Sequence, residues 1–199
     1  MSKLVAVSLV LAVAALLLTG CSGDNDQLVY QWVMERVSWN PAGTRLAFTA
    51  EGANGNRYVY SISTGSGNLT LLTPTDNDKD LTDEGGKQPA WSPDGEDLAI
   101  VARRGGTQAL FLIDPSSGAD EREERLTTDD EAVPGADAQP SWKPDSSQIV
   151  FVSTKNSPTG RWEIWVIDRD GTDLRMINRD NDATDAQWPV FSPDGTQII

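Results

Sequence analysis

Pro89-Ala90-Trp91-Ser92-Pro93-Asp94-Gly95-Glu96-Asp97-Leu98-Ala99-Ile100-Val101 is the stretch that decides the architecture. Ser-Pro-Asp-Gly has the chemistry of a type I turn. Proline pre-sets φ at the second position, aspartate suits the third, and glycine accepts the fourth. The run that follows, Leu98 to Val101, is apolar on both faces, which suits a strand covered on both sides. The same order recurs. Trp39-Asn40-Pro41-Ala42-Gly43, Trp142-Lys143-Pro144-Asp145-Ser146 and Phe191-Ser192-Pro193-Asp194-Gly195 stand at spacings of 52, 51 and 49 residues around it. A second proline lies two residues before the aromatic in three copies, at Pro89, Pro140 and Pro189.

Working outward, each copy repeats a four-part unit. Buried runs Leu46-Ala47-Phe48-Thr49, Leu98 to Val101 and Ile149-Val150-Phe151-Val152 come first. A loop and a further strand follow: Tyr58-Val59-Tyr60, Leu110-Phe111-Leu112-Ile113 and Ile164-Trp165-Val166-Ile167. A glycine turn then leads to Leu72-Thr73, Leu126-Thr127 or Ile177-Asn178. Four short strands joined by tight turns at this period predict an all-β fold, a β-propeller of four-stranded antiparallel blades. No stretch after the leader keeps a helical period. The expected blades run over about 37–73, 88–127 and 139–178, with an incomplete fourth over 187–199.

Pro-x-Trp-Ser-Pro-Asp-Gly, a buried strand, a second apolar strand, Asp-Gly and Leu-Thr together resemble the TolB-type, WD-repeat-like propeller unit. The resemblance covers residues 37–199. Asn40, Ala42 and Ser146 depart from it. Kelch repeats have a similar period but carry a double glycine that does not recur from unit to unit here, and the Trp-Asp ending of typical WD repeats is also missing. The resemblance implies a ring of about six blades, since closure protects sheet edges. Three blades and the start of a fourth therefore read as a fragment of a larger ring. Assembly of several short chains into one ring is the alternative.

The N-terminus reads separately. Lys3 and the apolar run Leu4 to Leu18 form a signal segment too short for a comfortable membrane span. Leu18-Thr19-Gly20-Cys21 resembles the lipobox of bacterial lipoproteins, which implies removal of residues 1–20 and lipidation of Cys21. Residues 21–27 are then the lipidated end and tether, and 28–199 the repeats. With Ser22 in place of Asp, the resemblance implies the outer membrane if the cell has one. The expected protein is exported, faces the periplasm and meets the membrane through its lipid.

Charge narrows the partners. Sixteen basic and thirty acidic side chains leave a net charge of −14. That balance disfavours nucleic acid, whose binding needs cations against phosphate, and suits a basic partner or a solvated surface. Strand alternation brings the inter-blade loops to one end of the ring. Their acids include Asp76, Asp78 and Asp80, then Asp129, Asp130 and Asp137, then Asp180, Asp182 and Asp185. Arg103 and Arg104 lie farther out on the same end, predicting an acidic centre with a basic rim. Asp76-Asn77-Asp78-Lys79-Asp80 begins like an EF-hand, but Leu81 and Lys87 stand where glycine and glutamate are needed. The expectation is therefore no cofactor, with calcium the one metal left open.

The chain contains no histidine. Within it, histidine-based triads and histidine metal sites are excluded, and no serine elbow or phosphate loop occurs. The expected function is a non-catalytic module that binds a protein of the cell envelope. The alternative is the gating propeller of a prolyl oligopeptidase-like serine peptidase. A glycosidase built on carboxylates alone ranks behind both.

Overall fold

The computed structural model describes residues 36–51, 55–73, 84–116, 123–127, 136–157, 159–177 and 185–199. Cys21 and the loop aspartates Asp76, Asp78, Asp80, Asp129, Asp130, Asp180 and Asp182 lie outside them. Among the described residues twelve strands form three antiparallel four-stranded sheets, each in sequence order. The first holds β1 (Val37–Trp39), β2 (Arg45–Glu51), β3 (Arg57–Ser63) and β4 (Leu69–Leu71). The second holds β5 (Glu84–Trp91), β6 (Leu98–Arg104), β7 (Thr107–Ile113) and β8 (Glu123–Arg125). The third holds β9 (Asp137–Trp142), β10 (Gln148–Ser153), β11 (Glu163–Asp168) and β12 (Arg175–Met176). These are propeller blades, as the repeat predicted. A fourth hairpin opens with the Phe191–Ile198 bridge.

The Pro-Asp-Gly turns close as their chemistry requires. Gly95 donates to the Ser92 carbonyl, Gly43 to Asn40, Ser146 to Lys143 and Gly195 to Ser192, at 2.8–3.0 Å. All four closing residues have positive φ, and only Ser146 does so without being glycine. Side chains knit the turns further: Ser92 Oγ accepts from the Asp97 amide and donates to Asp94, and Ser192 and Asp194 repeat this.

Because the strands alternate, each blade has two faces. Ala47, Val59 and Leu72 of the first blade pack on Trp91, Leu98, Ile100, Phe111 and Ile113 of the second. On the other face of the second blade, Ala99, Val101, Leu110, Leu112 and Leu126 pack on Trp142, Ile149, Phe151, Trp165 and Ile167. Large side chains thus face the preceding blade and smaller ones the following blade, the interdigitation close packing favours. Each such fully buried side chain gains about 1.5–3 kcal/mol over exposure. Strands β1, β5 and β9 meet one another across the seams and are the innermost of their blades.

Candidate functional site

With both faces of the second blade buried, it offers partners its ends and its edges. One end carries the Pro-Asp-Gly turns and the β3–β4, β7–β8 and β11–β12 connections. The other carries the connections between β2 and β3, β6 and β7, and β10 and β11, together with the inter-blade loops. The charged end expected from the sequence is this second one.

There the described residues divide. Arg104 bonds Glu123 on β8 at 2.7 Å and lies 5.7 Å over the Phe111 ring, so its charge is used inside its own blade. Arg103 is half-buried at the end of β6. Asp185 is exposed and accepts from the Trp162 amide at 3.1 Å. Asp137 was expected among the inter-blade loop acids of the acidic centre, but it is 3% exposed. The Thr127 hydroxyl donates to its carboxylate at 2.5 Å, and Gln108 Nε2 donates to its carbonyl at 2.6 Å. It joins the second blade to the third, because it stands at the start of an innermost strand rather than in the loop before it. The threonines explain the repeated Leu-Thr: Thr73 Oγ1 accepts from the Val59 amide and Thr127 Oγ1 from the Leu110 amide.

The turn-bearing end holds the charged cleft of the described residues, at the seam between the second and third blades. Its volume is about 690 Å³, within the range of binding clefts, with Leu112 and Ile113 among its lining residues. Six carboxylates line it, from Glu96, Asp97, Asp114, Glu124, Asp168 and Asp170, with the single guanidinium of Arg169. Arg169 sits in the β11–β12 turn and reaches across the seam to Asp94, Glu96 and Asp97 at 2.5–3.1 Å. Burial opposes charge on Arg169, but its bonds and charge pairing with Asp97 and Asp94 outweigh that and raise its pKa. Burial likewise raises Asp94, yet the Ser92 hydroxyl, the Glu96 amide and Arg169 together hold it at about 2. Six carboxylates against one guanidinium give the cleft lining a negative balance of charge. No sequence signal could have found the Arg169 clamp, since its partners lie 72–75 residues away.

β5, β9 and the segment before the fourth turn hold a further set that sequence reasoning missed. Gln88, Gln139 and Trp188 each precede a proline and each have positive φ, 54°, 59° and 56°. The Gln139 amide donates to Gln88 Oε1 at 2.8 Å, and the Trp188 amide to Gln139 Oε1 at 2.5 Å. In the first step of this relay the Gln88 amide donates to Thr49 Oγ1 at 3.2 Å. The repeated Gln-Pro pair was the available signal. Among the described residues no group of three or more acidic or cysteine side chains is arranged to hold a metal.

Comparison with known proteins gives a consistent result. The family model for the TolB β-propeller domain matches residues 82–199. An uncharacterized protein of Agrobacterium fabrum, Atu1656, is 27% identical over 161 residues, covering 80% of this chain and 48% of the relative. Dipeptidyl-peptidase 5 of Porphyromonas gingivalis is 30% identical over 140 residues, covering 66% of this chain and 19% of the relative. Among solved structures, TolB from Acinetobacter baumannii superposes with a TM-score of 0.59 at 22% identity, over 81% of this chain and 36% of that one. The chain thus spans less than half the length of these relatives.

Proposed function

The chain belongs to the TolB β-propeller domain family, and on that premise we propose that it is a non-catalytic binding module of the cell envelope, exported and anchored through Cys21. The partner is a protein that presents a basic segment. The observation that carries this reading is the cleft between the second and third blades, where six carboxylates surround one guanidinium. A lysine or arginine entering it brings its charge to the carboxylates. A net charge of −14 steers such a partner toward the ring from a distance.

The test is titration with a decalysine peptide against three forms of the chain. Wild type binds it, and binding weakens as salt rises. The double substitution Glu96→Gln, Glu124→Gln weakens it by about tenfold, the equivalent of ~1.4 kcal/mol. Glu51→Gln removes a charge outside the cleft and leaves binding within about twofold. Equal affinity in all three forms would sink the cleft as the docking point. Anchoring is tested by labelled palmitate, whose incorporation Cys21→Ala must abolish.

A second reading is favoured by the likeness to Dipeptidyl-peptidase 5, of which this chain covers 19%. In it the propeller gates a separate serine peptidase domain. Reading the coding DNA beyond codon 199 separates the two. Further Trp-Ser-Pro-Asp-Gly units followed by a stop support the binding module, whereas a serine-elbow domain makes the propeller a gate.

A further inference from the structure

The guanidinium in the cleft belongs to the chain itself. Arg169 Nε and Nη2 meet Asp97 Oδ2 at 2.6 and 2.5 Å, and Nη1 meets Asp94 Oδ2 at 2.6 Å. Nη2 also meets Glu96 Oε2 at 3.1 Å, and the centroid of the Trp142 ring lies 6.0 Å from the guanidinium carbon. The second blade thus holds an arginine of the third by three carboxylates, beside an aromatic ring. A forked set of bonds of this kind suits a guanidinium and not the compact ammonium of lysine.

The repeat does not require this arrangement. Ile62, Ile113 and Ile167 pair with Leu46, Leu98 and Ile149 and are equivalent. Thr64, Pro115 and Arg169 therefore share one position, and Arg45 stands where Asp97 does. At the seam between the first and second blades, Arg45 Nη1 donates to the Pro115 carbonyl at 2.9 Å, a bond to a neutral acceptor. The seam bridged by Arg169 lies between two complete four-stranded sheets and has other joints. Trp142 Nε1 donates to the Ala90 carbonyl, the Asp94 amide to Ser146 Oγ, and an apolar cluster fills the space between the blades. The Arg169 side chain is 30% exposed, and ion pairs so open to water contribute little to stability. Its turn closes without it, through the Gly171 amide and the Asp168 carbonyl at 2.9 Å.

We propose that Arg169 is a resident stand-in for an arginine of the partner. The cleft is a guanidinium receptor that the chain's own arginine closes, and an incoming arginine takes over Asp94 and Asp97. This rests on the cleft being the docking point. Exchange moderates the affinity, because a partner binds only the fraction of chains in which Arg169 has swung away. A clamp open about one-tenth of the time weakens the partner about tenfold. Exchange also selects arginine, since an ammonium cannot replace the whole fork.

The experiment titrates decaarginine and decalysine by calorimetry into the full chain, with melting temperatures measured alongside. Wild type binds decaarginine the more tightly. The decisive variant is Arg169→Lys, which keeps the charge and removes the fork, so that charge alone predicts no change. It binds decaarginine about threefold more tightly or better than wild type, and Arg169→Gln gains about tenfold. Arg175→Gln removes the same charge outside the cleft and stays within about twofold. By NMR, the Arg169 Nε–H signal, assigned by its loss in Arg169→Lys, moves or vanishes as decaarginine is added to wild type. If wild type binds but Arg169→Lys gains nothing, or the Arg169 signal stays in place, exchange is overturned while the docking reading stands. Binding of neither peptide to any form removes the docking reading and exchange with it. Should Arg169→Gln fail to fold, the comparison of wild type with Arg169→Lys decides.

Discussion

Ser146 shows what a single residue does when it departs from its repeat. The equivalent turns end in Gly43, Gly95 and Gly195, and Ser146 adopts the same left-handed conformation at φ 62°. That costs a side-chain-bearing residue about 1–2 kcal/mol. In return its hydroxyl accepts from the Asp94 amide of the preceding blade at 3.0 Å. Ser146→Gly removes both terms and is expected to change unfolding free energy by about 0.5 kcal/mol or less in urea titration. Ser146→Ala keeps the strain and loses the bond, so it destabilises by about 1 kcal/mol. Equal costs for the two would refute the trade. Asp145, in the same turn, makes a pH-dependent contribution. Hydrogen bonds from the Ser147 hydroxyl and amide, with Lys143 nearby, hold its carboxyl at about 2. An unfolded aspartate titrates near 3.9. A depressed folded pKa stabilises above about pH 4, and the gain disappears as pH falls toward 2. The stability gap between wild type and Asp145→Asn therefore narrows from pH 4 to pH 2, measured by thermal unfolding, and a gap independent of pH would contradict this. The turn residues were legible in the sequence because their chemistry is local. The partner of Ser146 was not, because it lies 52 residues away.

At the level of elements, Trp91 and Trp142, two of the three tryptophans in phase, look interchangeable in sequence and are not. Trp142 Nε1 donates to the Ala90 carbonyl at 2.9 Å across the seam. Trp91 Nε1, in the equivalent place one blade earlier, is buried with no partner among the described residues. There the seam is joined by the Trp91 amide and Ser38 Oγ at 2.9 Å. Trp142→Phe strands a buried carbonyl and loses volume, whereas Trp91→Phe loses volume and removes an unsatisfied donor. The first is expected to cost about 1–3 kcal/mol more than the second in urea unfolding. A smaller penalty at Trp142 than at Trp91 would show that the indole bond carries nothing. Strand existence, order and two-sided burial were readable from apolar runs at period about 50. The choice of which polar atom crosses each seam depended on how one blade is rotated against the next.

For the molecule as a whole, the relevant quantity is the charge of −14 on 199 residues. Like charges repel more in the folded chain than in the expanded one, so added salt relieves the folded state. The melting temperature is expected to rise between 20 mM and 500 mM NaCl in spite of screening at the Arg169 clamp. A fall would mean that clamps of that kind outweigh the net repulsion.

The amino-acid order alone determined the blade. Its turns, strand lengths and apolar runs are set by interactions within a few residues, the turn being written four times and the strands three. It also settled the balance of charge and the exclusion of histidine chemistry from this chain. Only the tertiary structure decided that Asp137 is a buried joint, that Arg169 gathers three carboxylates, and that the described cleft opens at the turn-bearing end. The physical reason is the same in each case. These contacts join residues on different blades, and what meets across a seam follows from the packing angle between sheets, which no local pattern specifies.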